Sequence, residues 1–140
     1  MKVKEIIELN SKFDFEAPVF KASSKLKNKL SEQITKDTLD LNKMLAPKPE
    51  DIYLVRVGGE SMIDKKIYDG DVLIVDKNAK PKIDDIVISS LNGEMTVKTF
   101  KKENGRAYLV SANSQFFPIE ISPLFQFKIQ GVVKHVIRIA

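Results

Sequence analysis

From residue 50 onward, short stretches rich in β-branched residues alternate with turn residues. The pattern predicts strands at residues 52–57, 71–75, 85–90, 94–100, 107–110 and 127–139. Turn sequences separate them: Gly58-Gly59, Asp69-Gly70, Asn92-Gly93 and Asn104-Gly105. The two Asn-Gly pairs favour two-residue hairpins, because such a turn needs positive φ at both central positions. The pattern therefore predicts a compact, mainly antiparallel β domain.

The chain before Pro47 has a different pattern of residues. Residues 1–39 carry no strong periodic apolar face, so we expect a partly ordered N-terminal arm there. Residues 40–45 predict a short helix, with Asp40 or Thr38 as the N-cap and Pro47 as the stop. The sequence thus divides into an arm of residues 1–39 and a domain of residues 40–140.

Composition limits the chemistry that this domain can perform. The 140 residues are 43% hydrophobic, enough for one domain with a real core and an appendage. The absence of cysteine excludes thiol catalysis, disulfides and cysteine-rich zinc sites, and His135 is the single histidine. No apolar run is long enough to cross a bilayer, and no signal-peptide core follows Met1. We therefore expect a cytoplasmic protein with no membrane partner.

The charge balance is mildly basic, with 23 Lys and Arg residues against 19 Asp and Glu. The excess lies before residue 50, where residues 21–29 hold four lysines and no acid. Such an arm could touch nucleic acid, or it could be a solvated tail kept soluble by its charge. No aromatic residues interleave with those lysines to stack on bases. We therefore expect no strong direct nucleic-acid site.

One candidate nucleophile is Ser61, which follows Gly58-Gly59 at the end of a predicted strand. Glycines let a backbone approach a substrate and point its amides at one spot, although most serines in such turns are only turn formers. A catalytic serine needs a base, and His135 has the alternating neighbours of an outward strand residue. A lysine can serve if burial lowers its pKa, and Lys98 lies within a predicted strand. From periodicity alone, a surface lysine on an edge strand is still favoured.

The motifs of the whole region, taken together, are a more specific signal of function than any single residue. The first motif is Gly59-Glu60-Ser61-Met62-Ile63-Asp64 with residues 67–76, and the second is residues 85–88 with Gly93-Glu94-Met95-Thr96-Val97-Lys98. Further matches are residues 112–115, 118–119 and 131–136. In order and spacing, almost everything from Asp40 onward resembles the catalytic domain of the LexA/UmuD family of self-cleaving serine-lysine peptidases.

The resemblance implies a role for each matching residue. Ser61 would be the nucleophile, Lys98 its base, and the backbone amides of Ser61 and Glu60 would hold the oxyanion. The remaining matched residues are interpreted as shaping the turn: Asp64, Asp69, Gly70 and Asp71. No metal and no organic cofactor are expected.

The family also implies a substrate and partners. Its members usually cut their own N-terminal arm when a RecA filament on single-stranded DNA promotes the cleavable conformation. Fewer than 50 residues precede the domain and they contain no convincing helix-turn-helix, which favours the UmuD-like branch over LexA-type repressors. A homodimer and a UmuC-type error-prone polymerase partner in SOS mutagenesis are then expected. The alternatives are a truncated LexA or phage-type repressor peptidase, and a non-cleaving dimeric scaffold of the same fold.

The scissile bond departs from the family pattern. Members are generally cut between a small residue and glycine, but no glycine precedes Gly58 here. Ala22-Ser23 offers two small residues and is the expected site. A competing match places the bond near Phe13-Asp14, whose side chains are bulky for a narrow site.

Overall fold

A computed structural model of the chain describes residues 1–7, 16–18, 38–115, 117–122 and 127–140. The chain forms two compact units, one of residues 1–9 and 50–140 and the other of residues 10–49. The strands, in chain order, are β1 (Lys2–Ile7), β2 (Glu16–Pro18), β3 (Thr38–Asp40), β4 (Ile52–Gly58), β5 (Val72–Asp76), β6 (Ile86–Leu91), β7 (Glu94–Glu103), β8 (Arg106–Val110), β9 (Ile119–Glu120) and β10 (Phe127–Ile137).

The larger unit is built on one antiparallel sheet. Among the described residues it has eight strands in the order β1-β4-β5-β10-β6-β7-β8-β9. The mainly β, antiparallel fold that the alternating pattern predicts is confirmed. The boundary at residue 40 stays a prediction. Within the described part of the chain, no helix is long and apolar enough to span a membrane.

Strand β1 closes this sheet on itself. It pairs with β4 along its length, from Lys2 opposite Gly58 to Ile7 opposite Leu54, and Lys2 also lies opposite Thr96 of β7. The Val97 amide of β7 donates to the Met1 carbonyl at 2.9 Å. The start of β1 therefore sits between the ends of β4 and β7, a placement that the sequence pattern does not predict.

The two predicted Asn-Gly hairpins are confirmed. Asn92 and Gly93 have φ of 51° and 84° between β6 and β7, and Asn104 and Gly105 have φ of 51° and 75° between β7 and β8. Positive φ at both central residues is the geometry that matches the twist of the paired strands. These turns fix the register of β7 against both of its neighbours.

Two apolar clusters cover the sheet. The larger consists of Met1, Val55, Val57, Met62, Ile67, Leu73, Val75, Ile88 and Val97. The second consists of Val87, Phe100, Leu109 and Val132. Adjacent residues Val87 and Ile88 enter different clusters, so both faces of β6 are buried, since side chains alternate along a strand.

Close packing of β10 on β5 requires a glycine. A Cβ built on Gly131 would lie 2.5 Å from Val75 Cγ1 and 2.9 Å from the Asp76 carbonyl oxygen. The register of β10 against β6 shifts between Ile129 and Gly131, which marks a β-bulge. The glycine lets the bulged strand approach its neighbour without a clash.

Among its described residues, 16–18 and 38–49, the smaller unit contains a two-stranded sheet and a short helix. β2 and β3 pair antiparallel, with Ala17 opposite Leu39. Helix α1 (Leu41–Leu45) follows, and the Asp40 carboxylate accepts from the Asn42 amide at 2.9 Å. The predicted short helix and its Asp40 N-cap are confirmed. The lysine-rich stretch and both candidate scissile bonds, Ala22-Ser23 and Phe13-Asp14, lie outside the described residues.

Candidate active site

Ser61 lies in the turn that follows β4. Gly59 has a φ of 102°, which favours glycine, and its amide donates to Asp69 Oδ1 at 3.0 Å. The next residue, Met62, is fully buried in the larger cluster and pins the turn to the core. Ser61 itself is only 2% exposed. Beside it runs a groove of about 440 Å³ lined by residues 1–4 and 58–61.

Hydrogen bonds hold the loop between Ser61 and β5 in one shape. The Gly70 amide donates to the Val57 carbonyl at 2.8 Å, and the Val57 amide donates to the Asp71 carbonyl at 3.0 Å. Asp71 Oδ2 accepts from the Tyr68 amide at 2.8 Å. Together with the bond from Gly59, these contacts agree with the interpretation that Asp69 and Asp71 shape the turn.

Arg138 bonds to two residues of the same loop, Asp71 and Lys66. Its Nε donates to Asp71 Oδ1 at 2.7 Å, its Nη2 donates to Asp71 Oδ2 at 2.5 Å, and Nη2 also reaches the Lys66 carbonyl at 3.0 Å. The guanidinium lies over the Tyr68 ring, 4.4 Å from its centroid. Bonding to Arg138 lowers the pKa of Asp71, whose side chain is 1% exposed. A buried carboxylate is thus kept charged and paired at the foot of the Ser61 loop.

Lys98 is the candidate base, in the middle of β7. It lies opposite Val87 of β6, and its strand neighbours Val97 and Thr99 are both buried. Partial burial lowers the pKa of the Lys98 amine, because desolvation disfavours the ammonium form. Its Nζ donates to Ser111 Oγ at 2.6 Å. A lysine can act as a base for serine only if its pKa is lowered, and the burial of Lys98 shifts its pKa in that direction.

The amino group of Met1 lies at the candidate nucleophile. It donates to the Ser61 hydroxyl. Its pKa is lowered to about 6, first by burial and second by the charge of Lys98. The pairing of β1 with β4 and β7 therefore places the Met1 amino group against Ser61, in a position where it also senses the charge of Lys98.

The segment after β8 connects the two sides of the site. The Ala112 carbonyl accepts from the Asp64 amide at 2.7 Å, and the Ala112 amide donates to Met62 Sδ at 3.4 Å. Asn113 Nδ2 donates to the Glu60 carbonyl at 3.0 Å. Residues 112–113 therefore hold the Ser61 loop, while Ser111 beside them holds Lys98.

Three participants in this arrangement are absent from the sequence prediction. Met1 has no recognisable motif, and its position depends on the pairing of β1 with β4 and β7. Ser111 directly precedes a recognised motif, and the predicted Asn104-Gly105 hairpin is the signal that could have placed it opposite Lys98, because that turn pairs Glu103 with Arg106 and so sets the register. Arg138 could have been suspected, because a motif aspartate such as Asp71 needs a counterion once it is buried.

A metal site needs several ligating side chains close together. Among the described residues, no group of three or more histidine, aspartate or glutamate side chains is placed to hold a metal ion.

The fold is that of a mainly β, antiparallel domain, and sequence comparison gives the family. The Peptidase S24-like family model matches residues 18–134, and the chain belongs to this family. Among the similar proteins is the LexA repressor of Pseudomonas chlororaphis, 36% identical over 110 residues, covering 78% of this chain and 54% of that protein. The LexA repressor of Pseudarthrobacter chlorophenolicus is 37% identical over 90 residues, covering 64% of this chain and 36% of that protein.

A third relative extends the same pattern. The LexA repressor of Colwellia psychrerythraea is 39% identical over 87 residues, covering 61% of this chain and 41% of that protein. The chain thus spans between about a third and a half of the length of the curated relatives that it matches. The resemblance to the LexA/UmuD family is confirmed at the level of the family, and these names do not favour the UmuD-like branch.

Proposed function

We propose that this chain is a self-cleaving serine peptidase in which Ser61 is the nucleophile and Lys98 is the general base. The observation that carries the proposal is a buried serine hydroxyl in a glycine turn, together with a partly buried lysine amine of lowered pKa that Ser111 holds within the same sheet unit. Membership of the Peptidase S24-like family supports the same chemistry.

The reaction follows from the properties of these two groups. The neutral Lys98 amine takes the Ser61 proton as Oγ attacks a peptide carbonyl, and the resulting ammonium then gives that proton to the leaving amine. An acyl-serine remains. A water molecule, deprotonated by the same amine, attacks the acyl-serine and releases a carboxylate with regenerated Ser61.

The peptide unit between Glu60 and Ser61 is part of the proposed support for the oxyanion. Its carbonyl accepts from Asn113 Nδ2 at 3.0 Å. Because a trans peptide directs its carbonyl and its amide to opposite sides, this bond aims the Ser61 amide away from Asn113. We propose the Ser61 amide, with that of Glu60, as the oxyanion donors.

Met1 bears on when the reaction can occur. Its amino group engages the Ser61 hydroxyl, and residues 1–4 line the adjoining groove. The segment that contains the scissile bond must therefore displace Met1 before the carbonyl of that bond can reach Ser61 Oγ. Cleavage is then controlled by the positions of these two segments, because a segment must move before the active site is complete.

The substrate in this proposal is the chain's own N-terminal arm, with Ala22-Ser23 as the bond. Two small residues suit a narrow site, and holding the bond beside Ser61 makes the reaction intramolecular, so a weak nucleophile suffices. A RecA filament on single-stranded DNA is proposed to promote the cleavable conformation. This part of the proposal rests on the family resemblance.

The finer proposal is a UmuD-like role in SOS mutagenesis. In it the processed homodimer serves as a subunit of a UmuC-type error-prone DNA polymerase in translesion synthesis. This role rests on the resemblance of residues 59–76 and 93–98 to the motifs of the family.

A second candidate is a LexA-type repressor peptidase, favoured by the names of the curated relatives. The two are separated by binding measurements on the purified chain. Sequence-specific binding to operator DNA supports the repressor, whereas binding of the cleaved form to an error-prone polymerase supports the UmuD-like role.

Cleavage itself is tested by intact-mass measurement of the chain after incubation between pH 6 and pH 11, with and without activated RecA. We expect loss of an N-terminal fragment at a rate that rises with pH, because the active form of Lys98 is the neutral amine. The rate levels off below the ordinary lysine pKa, since burial lowers the pKa of Lys98. An unchanged mass under all conditions would contradict the proposal and favour a non-cleaving scaffold.

A further inference from the structure

We infer that Ser111 is a positioning residue for the Lys98 amine, so that the reactive unit has three members. This inference rests on the proposed function of Ser61 and Lys98. No motif recognised in the sequence assigns Ser111 a role.

The position of Ser111 follows from the pairing of β7 and β8. Thr99 lies opposite Val110 in that antiparallel ladder, so one further step places Ser111 opposite Lys98. Opposed residues on neighbouring strands have Cβ atoms about 4.5–5.5 Å apart, within reach of a lysine that turns towards its neighbour. The contact of 2.6 Å between Nζ and Oγ is therefore set by the sheet register.

The direction of this hydrogen bond matters for catalysis. Lys98 Nζ is the donor and the Ser111 hydroxyl oxygen is the acceptor. A neutral amine has one lone pair, and an amine that donates to Ser111 keeps that lone pair for the Ser61 proton. After proton transfer, the same bond becomes charge-assisted and stabilises the ammonium.

Ser111 also begins the segment that holds the nucleophile loop. The next two residues, Ala112 and Asn113, bond to Asp64, Met62 and Glu60 on either side of Ser61. Ser111 is 6% exposed, so water has little access to its hydroxyl and does not readily replace Lys98 as its hydrogen-bond partner. A change of the Ser111 side chain therefore acts on the base, while the contacts of Ala112 and Asn113 keep the loop in place.

Replacement of Ser111 by Ala is expected to slow self-cleavage about 10-fold to 100-fold on the high-pH plateau, because the amine is less well aimed. The midpoint of the rate profile is expected to move to lower pH, since the ammonium loses an acceptor that favours it. Ser111→Thr keeps the hydroxyl and is expected to restore both the rate and the midpoint.

Ser89→Ala is the matched control. Ser89 is another buried serine, and its hydroxyl bonds to Thr96 Oγ1 at 3.0 Å rather than to Lys98. The Ser89→Ala substitution removes one buried hydroxyl from the same sheet, so it reports the effect of lost stability. The midpoint of its rate profile is expected to equal that of the wild type. An equal midpoint in Ser111→Ala would overturn the inference.

A direct titration keeps this inference separate from the proposed function. The pKa of Lys98 is measured by NMR of its ε-methylene group in the wild type and in Ser111→Ala, whether or not either chain cleaves itself. A lower pKa in the variant supports the contact. An unchanged pKa would overturn it even if the wild type is an active peptidase, while absence of cleavage with a lowered pKa would count against the proposed function alone.

Discussion

Replacement of Lys98 by Met is expected to reduce self-cleavage by about 1,000-fold or more. Methionine retains the length and most of the apolar contacts of the lysine stem but has no lone pair basic enough to take the Ser61 proton. Ser61→Ala is expected to have an equally large effect, because the two residues act as one unit and their losses do not add. Intact-mass time courses at the pH of maximal wild-type rate measure both.

Lys102→Met is the control for the lysine substitution, because Lys102 lies on the same strand and is exposed. It is expected to cleave at the wild-type rate. Cleavage at the wild-type rate by Lys98→Met would remove Lys98 from its role, and cleavage by Ser61→Ala would remove Ser61.

The Lys98 substitution also has a signature in stability. Since the pKa of folded Lys98 lies below its ordinary value, the unfolded chain binds more protons between those two values, and the free energy of unfolding rises with pH across that window. In Lys98→Met, this contribution to the pH dependence is expected to vanish.

Replacement of Arg138 by Met is expected to lower the free energy of unfolding clearly, but by less than the loss of a fully buried ion pair, because Arg138 is partly exposed. The substitution leaves the Asp71 carboxylate buried at 1% exposure without its guanidinium partner. The loop that carries Ser61 also loses the bond from Arg138 to the Lys66 carbonyl. Urea unfolding at pH 7 measures the free energy.

The pH dependence of this loss identifies its cause. In the wild type, the pKa of Asp71 is lowered, so its contribution to stability is present above the ordinary aspartate pKa and is lost as pH falls through the lowered value. Without Arg138, the pKa of the buried carboxyl is expected to rise, and the variant regains stability relative to the wild type as the pH is lowered. A difference independent of pH would contradict this explanation.

Two further variants complete the test of the Arg138 contact. Arg138→Met combined with Asp71→Asn is expected to recover part of the lost free energy, because the unpaired charge has been removed. Arg106→Met breaks a pair with Glu120 that is exposed on both sides, with 3.8 Å between its charged atoms. It is expected to change the free energy of unfolding by less than about 1 kcal/mol.

The larger part of the fold could be predicted from local sequence. Alternating β-branched residues mark the strands, and the Asn92-Gly93 and Asn104-Gly105 turns fix the register of β7, because only a few residue pairs tolerate positive φ twice in succession. The placement of β1 could not be predicted in this way. It depends on the pairing of β1 with β4 and β7, whose paired residues lie between 47 and 94 positions further along the chain. The sequence of Lys2–Ile7 has no clear alternation that would predict this pairing.

The candidate site could be predicted only where motifs carry it. Ser61 and Lys98 are candidates because two motifs occur in the order of the family, whereas periodicity alone places Lys98 on the surface. The partial burial of Lys98 depends on the neighbouring elements of the fold, which no single strand reveals. Ser111 faces Lys98 across the local β7–β8 hairpin, whereas Met1 reaches Ser61 through the long-range pairing of β1.

The central claim is that Lys98 activates the hydroxyl of Ser61, and covalent labelling tests it most directly. The full chain is treated with a serine-reactive phosphonofluoridate at several pH values, and the adduct is located by peptide mass spectrometry. We predict one adduct, on Ser61, forming at a rate that rises with pH in the wild type and absent in Lys98→Met. Equal labelling of Ser61 in wild type and Lys98→Met, or no labelling of Ser61 in a chain that still cleaves itself, would contradict the account.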